Sequence, residues 1–386
     1  MNKTKVAVVF GSRSVEHEVS VVTAMQILAN LDQKKYEIIP VYIDKQGRWW
    51  SGKSLTKIEN YKKLELKNKI GLGQYKLSGE VGNKRLIPVG ILKKPINFDI
   101  VLMAVHGTYG EDGTLQGLLE MANIPYTGCG VTAAAIGMDK VLQKAVYEKE
   151  ELPIVKYDWF LSKEYIENKK EIIARLEKNI GYPMCVKPAN LGSSVGINMA
   201  HNKQELEWSI DIAKEFDTKV LVEECLENID EINVSVMGYE DAEVSICEQP
   251  IKANTLLSYE DKYLRGSKTK GMANLSRLIP APINEEMTKR IQLYALKAFR
   301  ALGAAGLARI DFLVNIKKGI VYINEINTLP GSLSFYLWEK SGYPFAKMLD
   351  KLIELGFERY HKRNKINFSY DSGLLRKVGK GSKNYE

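Results

Sequence analysis

The chain of 386 residues predicts an α/β protein long enough for two or three domains with real cores. Three observations predict it. Continuous apolar runs at residues 5–10 and 98–105 read as strands buried on both faces of a parallel sheet. Helical stretches alternate with short strand-like runs, as at residues 164–180 followed by 182–188. Near the C-terminus, residues 306–314 and 320–327 are apolar runs rich in β-branched and aromatic residues. The polar, glycine-ended stretch 315–319 joins them, so the segment reads as an antiparallel hairpin.

Taken in order, the first strand ends in Gly11-Ser12-Arg13-Ser14, and a helix begins near Val15. A strand, a small-residue turn and a helix N-terminus make a ready ligand site. Glu18 in the first turn is explained by the helix dipole; Glu16, at the mouth of the turn, is explained less well by it. A second strand is expected at 36–43. Residues 44–97 read as irregular and lysine-rich, with Trp49 and Trp50 anchoring a small sheet. The strand at 98–105 runs into His106-Gly107-Thr108-Tyr109-Gly110-Glu111-Asp112-Gly113, a glycine-rich loop where α/β proteins place ligands. His106 reads either as a general base or as a structural hydrogen-bonding group. Small-residue helix 132–138 leads to Asp139-Lys140.

Lys187 ends the strand 182–188, and Gly192-Ser193-Ser194-Val195-Gly196 turns the chain into the next. A strand-end lysine beside a loop rich in N–H and hydroxyl donors makes a phosphate grip, although it is not a P-loop. Strands follow at 218–224, ending in Glu223 and Glu224, and at 231–237. Glu231, opening the latter, reads either as an acceptor of ribose hydroxyls or as a solvated strand end. Residues 259–266, with Lys262 and Tyr263, form a polar loop suited to a lid. A long amphipathic helix, 284–303, precedes the hairpin, and a closing helix is expected at 343–357.

The hairpin carries the chemistry. Side chains alternate along a strand, so Arg309 and Asp311 share one face, as do Glu325 and Asn327. A turn centred near Lys318 sets Asp311 opposite Glu325 and Arg309 opposite Asn327. Two carboxylates, an amide oxygen and a guanidinium converge, and hard oxygen ligands of this kind suit Mg²⁺. A solvated surface ion pair is the competing reading of the hairpin alone.

Composition limits the partners. Hydrophobic residues at 45% and charged residues at 26% are those of an ordinary globular chain. The net charge of +8 is dispersed, apart from a basic tail at 375–383 expected to be flexible, which argues against nucleic acid and allows a polyanionic small substrate. Cys129, Cys185, Cys225 and Cys247 show no metal-ligand spacing and make no disulfide framework. With no signal peptide ahead of the first strand and no membrane-length apolar run, a reduced, cytoplasmic protein is expected.

Several separated motifs together resemble the D-alanine–D-alanine ligases of the ATP-grasp superfamily, over about residues 3–360. They are residues 11–20, the 106–117 loop, Met138-Asp139-Lys140, Val186-Lys187-Pro188 with residues 192–196, residues 259–263, Ala308-Arg309-Ile310-Asp311, and residues 324–331. The resemblance implies a three-domain ATP-grasp architecture: an N-terminal parallel α/β domain at 1–130, α+β subdomains at 131–217 and 218–365, and a flexible tail at 366–386. It implies ligation of two D-alanines through a D-alanyl phosphate, for peptidoglycan precursor synthesis, by a cytoplasmic homodimer that uses ATP and two Mg²⁺ ions, with Mn²⁺ able to stand in.

Residue roles follow from the same resemblance. Asp311, Glu325 and Asn327 hold the metals. Lys140, Lys187, Ser193, Ser194 and Lys262 serve the nucleotide phosphates, Glu223 and Glu224 the adenine edge, and Glu231 the ribose. Arg309 and the Gly331 N–H stabilise the acylphosphate and the tetrahedral oxyanion. Glu16 binds the donor ammonium with His106 nearby, and Glu16, Ser193 and Tyr263 link the N-terminal domain to the lid. Lys262 takes the acceptor carboxylate, together with Ser334 or Ser332. The chain departs from the family pattern in three places: His17 where many relatives have arginine, a short lid segment between 263 and 280, and a short stretch after Pro330-Gly331. The last leaves the acceptor open, so D-serine, D-lactate or another acceptor, or a non-catalytic nucleotide binder, stand as alternatives.

Overall fold

The computed structural model describes residues 3–62, 71–192, 195–251 and 277–372. Lys262, Tyr263, Ser193, Ser194 and the basic tail lie outside them.

The N-terminal sheet has seven strands. Thr4–Gly11 lies between Tyr36–Ile43 and Ile100–Met103 and pairs with both in parallel. Val6, Val8, Phe10 and Leu102 are fully buried, as continuous apolar runs require. The described parts of the 44–97 region form more regular structure than their composition suggests. Trp49–Ser51, Gly73–Leu77, Arg85–Pro88 and Ile96–Asn97 extend the same sheet antiparallel. The chain reverses at Asp44, whose carboxylate accepts from the Gln46 and Arg48 N–H groups, Arg48 Nε and Trp50 Nε1. These strands are only two to five residues long, which hides their alternation in the sequence.

A second sheet orders Asn198–Ala200, Met184–Pro188, Lys219–Glu224 and Tyr157–Leu161. Helices Ser162–Asn179 and Lys203–Lys214 share its core through Ile173, Leu176, Leu206 and Ile210. This corrects the expected 131–217 unit at both ends. Lys219–Glu224, assigned to the next unit, pairs with Tyr157–Leu161 and Met184–Pro188. Helices Val131–Met138 and Lys140–Lys149 place Ala133, Ala134 and Tyr147 in the core of the third sheet instead. An apolar stripe shows that a segment packs, not against which sheet.

The third sheet orders Ala242–Val244, Asp230–Gly238, Gly306–Asn315 and Ile320–Asn327. Helix Glu285–Ala301 covers it, capped by Asn284, whose side chain accepts from the Met287 N–H at 2.8 Å. The closing helix, Phe345–Arg363, runs further than expected. It buries Met348, Leu349 and Leu352 in the N-terminal core. Leu329 and Leu333, in the turn after the hairpin, join that same core. The first and third units therefore meet at residues 329–333.

Candidate functional site

The hairpin forms with the expected pairing: Asp311 opposite Glu325, Arg309 opposite Asn327. The register shifts by one residue between Asp311 and Phe312, leaving Asn324 as the extra residue. On the other side Asn233 pairs with Asp311 and Ser235 with Arg309. One face of three strands thus carries two polar rows: Asn233, Asp311, Glu325 and Ser235, Arg309, Asn327. The opposite face, with Val234, Ile310, Phe312 and Ile326, is core.

Arg309 donates to Asp311 through two bonds, Nε to Oδ1 at 2.6 Å and Nη2 to Oδ2 at 2.7 Å, and both residues are buried. The paired carboxylate holds the guanidinium well above its usual range despite burial. Burial, together with the charges of Glu231 and Glu325, raises the Asp311 pKa although Arg309 opposes it. Among the described residues, Asp311, Glu231 and Glu325 face Arg309, Lys140, whose Nζ is 3.5 Å from Glu325, and Lys187, which also feels the Glu325 charge. Carboxylate oxygens keep lone pairs beyond those Arg309 uses. This set of hard oxygen donors fits Mg²⁺. Asn327 Oδ1 meanwhile accepts from the Leu329 N–H at 3.1 Å, which starts the turn toward Gly331.

The expected phosphate lysines stand beside this face. Asp139 caps the helix Lys140–Lys149 by accepting from Val141 and Leu142, so Lys140 starts the helix with its side chain free to reach across. Its Nζ donates to Leu191 O at 2.8 Å, tying the glycine-serine loop to the hairpin. Lys187 is bonded to Glu223, which is bonded in turn to Lys144, a residue the sequence reading missed. Burial alone would raise the Glu223 pKa, but the two lysines bring it down to about 2. Lys187 is itself pushed above its ordinary value by Glu223. Lys144 lies one helical turn beyond Lys140, the i, i+4 spacing that could have revealed it. Glu224 is half-buried at the strand end, its N–H donating to Lys156 O at 2.9 Å. Gln143, also missed, fastens the hairpin: its Oε1 accepts from the Ile326 N–H at 3.0 Å and its Nε2 donates to Gly137 O.

The N-terminal unit supplies the third wall. Glu18 is a surface residue with its side chain 80% exposed, whereas Glu16 is buried and caps nothing with its carboxylate. A Cβ built on Gly192 would lie 2.5 Å from Glu16 Oε1, so a side chain there would displace the Glu16 carboxylate. One oxygen or nitrogen of each of Glu16, His106 and Glu111 falls within 4.8 Å of the others. Glu111, not assigned from sequence, accepts from the Gly107 N–H at 2.9 Å; burial, then Glu16, pushes its pKa up to about 8.

His106 is held through both ring nitrogens. Its Nδ1 lies 2.8 Å from Leu329 O, which can only accept, so Nδ1 carries the proton. Its Nε2 lies 2.8 Å from Thr23 Oγ1. Burial lowers its pKa to about 4 and keeps it neutral. His17 is likewise buried, with Nδ1 2.6 Å from Ser12 O and Nε2 2.9 Å from Tyr42 OH, which holds the 11–14 turn without any charge.

Beyond the hairpin, Ser332, Leu333 and Ser334 take left-handed φ values of 54°, 51° and 47°. Among the described residues the Gly331 N–H has no hydrogen-bond acceptor, and the buried Ser334 Oγ has no partner. Tyr336, two residues on, gives its hydroxyl to Glu248 at 3.1 Å and lies under Arg277.

The site's parts match one family along nearly the whole chain. The family model described as D-ala D-ala ligase N-terminus matches residues 5–129, and that described as D-ala D-ala ligase C-terminus matches 146–354. A D-alanine–D-alanine ligase of Thermosipho melanesiensis is 41% identical over 379 residues, 97% of this chain and 99% of the relative. One from Bacillus cytotoxicus is 38% identical, covering 96% of this chain and 100% of its own length. Among solved structures, the Coxiella burnetii D-alanine–D-alanine ligase superposes with a TM-score of 0.79 at 28% identity, covering 97% of this chain and 98% of that one. The VanG D-Ala:D-Ser ligase of Enterococcus faecalis gives 0.79 at 32%, covering 92% and 100%. The two polar rows of the hairpin sheet, the lysines facing them and the buried Glu16 are set in a chain that belongs to the D-alanine–D-alanine ligase family, with the ATP-grasp fold.

Proposed function

We propose that this enzyme joins two D-alanines at the expense of ATP, giving ADP, phosphate and D-alanyl-D-alanine for peptidoglycan synthesis. The observation that carries the reading is the cross-strand set Arg309–Asp311 and Glu325–Asn327, with Lys140 spanning from Glu325 to the glycine-serine loop.

Glu16 holds the ammonium of the donor D-alanine. A donor carboxylate oxygen attacks the γ-phosphorus, the bond to ADP breaks, and D-alanyl phosphate forms. The amine of the second D-alanine, in its neutral form, attacks the carbonyl; the C–N bond forms, the C–O bond to phosphate breaks, and phosphate leaves with the proton the amine gives up. Lys140, Lys187 and the Ser193–Ser194 loop hold the nucleotide phosphates, while Glu231 takes the ribose and the 223–224 strand end faces the adenine. Two Mg²⁺ ions, or Mn²⁺ in their place, would be held by Asp311, Glu325 and Asn327 and would neutralise charge on the terminal phosphates. Arg309 and the Gly331 N–H stabilise the transferring phosphoryl group and the oxyanion. Lys262 and Ser334 meet the acceptor carboxylate, and Tyr263 closes over the site with Glu16 and Ser193. A cytoplasmic homodimer completes the reading.

A panel of D-amino acids, scored for ADP release and product mass, tests it. D-alanine alone should yield the dipeptide. The 32% identity to a D-Ala:D-Ser ligase makes D-serine the informative competitor. Dipeptide from a mixed pair but none from D-alanine alone would overturn the acceptor assignment, and ATP binding without turnover would overturn the ligase.

A further inference from the structure

We infer that Thr23, inside the first helix and far from the hairpin in sequence, is a positioning residue for the Gly331 N–H. The inference rests on the reading that this N–H stabilises the oxyanion. The Thr23 hydroxyl sits at a junction. It accepts from the Ser332 N–H at 3.0 Å, and its own proton goes to His106 Nε2 at 2.8 Å. His106 then donates from Nδ1 to Leu329 O at 2.8 Å. The two ends of this relay, Leu329 O and Ser332 N, bracket Gly331. Thr23, His106 and Ser332 are each at most 2% exposed, so no bulk water substitutes for the relay.

Each link has one chemical solution. Leu329 O accepts only, which fixes the imidazole tautomer; the remaining ring nitrogen accepts only, which fixes the direction of the Thr23 O–H. A group at position 23 must both accept and donate, and a hydroxyl does this within one small volume.

The turn needs such an anchor. Three consecutive non-glycine residues, Ser332 to Ser334, are left-handed, a conformation disfavoured at each L-residue, and it persists only where surrounding contacts over-determine it. Leu333 N donates to Pro330 O at 2.8 Å within the turn; the hydrogen bonds through Thr23 and His106, beside the packing of Leu329 and Leu333 in the N-terminal core, fix it relative to the rest of the site. The relay therefore couples the unit carrying Glu16 to the donor that faces the reacting carbonyl.

Full-length Thr23→Val, Thr23→Ser and wild-type enzyme decide the matter. Valine keeps the shape and removes both bonds. A donor displaced by an ångström or less is expected to slow the carbonyl step by about 100-fold, with KM for ATP unchanged. D-alanyl phosphate that waits is captured by water, returning D-alanine and phosphate, so ADP should exceed dipeptide in the variant. Serine should restore the rate to within about threefold and the ratio to one. A Thr23→Val enzyme with a wild-type rate, or one slowed with ADP and dipeptide still equal, overturns the inference. If that variant fails to fold, His106→Asn breaks the other anchor and must show the same excess of ADP; equality there overturns it as well. Absence of dipeptide from the wild type would instead overturn the ligase reading.

Discussion

Lys144→Met tests whether buried charge balance sets the nucleotide end of the site. Lys144 is 1% exposed and shares the buried Glu223 carboxylate with Lys187. The two lysines hold Glu223 at about 2 against an ordinary 4.5 while burial pushes the other way. That difference corresponds to about 3 kcal/mol favouring the ionised form. Losing Lys144 leaves burial opposed by Lys187 alone, so a loss of about 3 kcal/mol is expected, the lower end of the range for broken buried pairs. The sign follows from a depressed carboxylate: the contribution is whole above pH 4.5, and falls away as pH drops from there toward 2. Function should shift too. With two lysines on one glutamate a positive charge is left over for phosphate; with one, Lys187 is bound to Glu223 and less available. Urea unfolding at pH 7 and initial rates against ATP provide the assay, with KM for ATP expected to rise at least about tenfold. The double variant with Glu223→Gln should recover much of the stability, because it removes the uncompensated carboxylate. A single variant that loses under about 1 kcal/mol and keeps its KM would refute the reasoning.

Other expectations follow from the same geometry. Glu111→Gln should flatten the pH dependence of stability. A carboxyl raised to about 8 keeps its proton in the fold after the unfolded chain has released it, so stability falls as pH climbs from about 4.5 to 8, by several kcal/mol; parallel slopes for variant and wild type would contradict this. Gly192→Ala puts a methyl group where the Glu16 carboxylate stands, and should raise KM for D-alanine by about tenfold in initial-rate measurements while leaving KM for ATP close to wild type.

Much of the site was legible because it is local. Alternation plus one polar turn gave the facing of Asp311 and Glu325, although the bulge at Asn324 was not visible: a turn one residue shorter with one extra residue in the arm produces the same pair. Lys140 and Lys187 stood out as lysines at element ends. Thr23 and Glu111 did not, because a buried polar residue takes its meaning from partners distant in sequence: Ser332 for Thr23 and Glu16 for Glu111. The same limit moved Lys219–Glu224 into the central sheet, since apolar strands carry no label for their neighbours.

The central claim is that the acid–amide face of the hairpin sheet grips the cations on the nucleotide's terminal phosphates. Electron paramagnetic resonance titration of Mn²⁺ into the ADP complex measures that grip directly, in wild type, Glu325→Gln and Asn327→Ala. The account predicts at least about tenfold weaker Mn²⁺ binding in each variant, with metal-free ADP binding nearly unaltered. Equal Mn²⁺ affinity in all three proteins would contradict it.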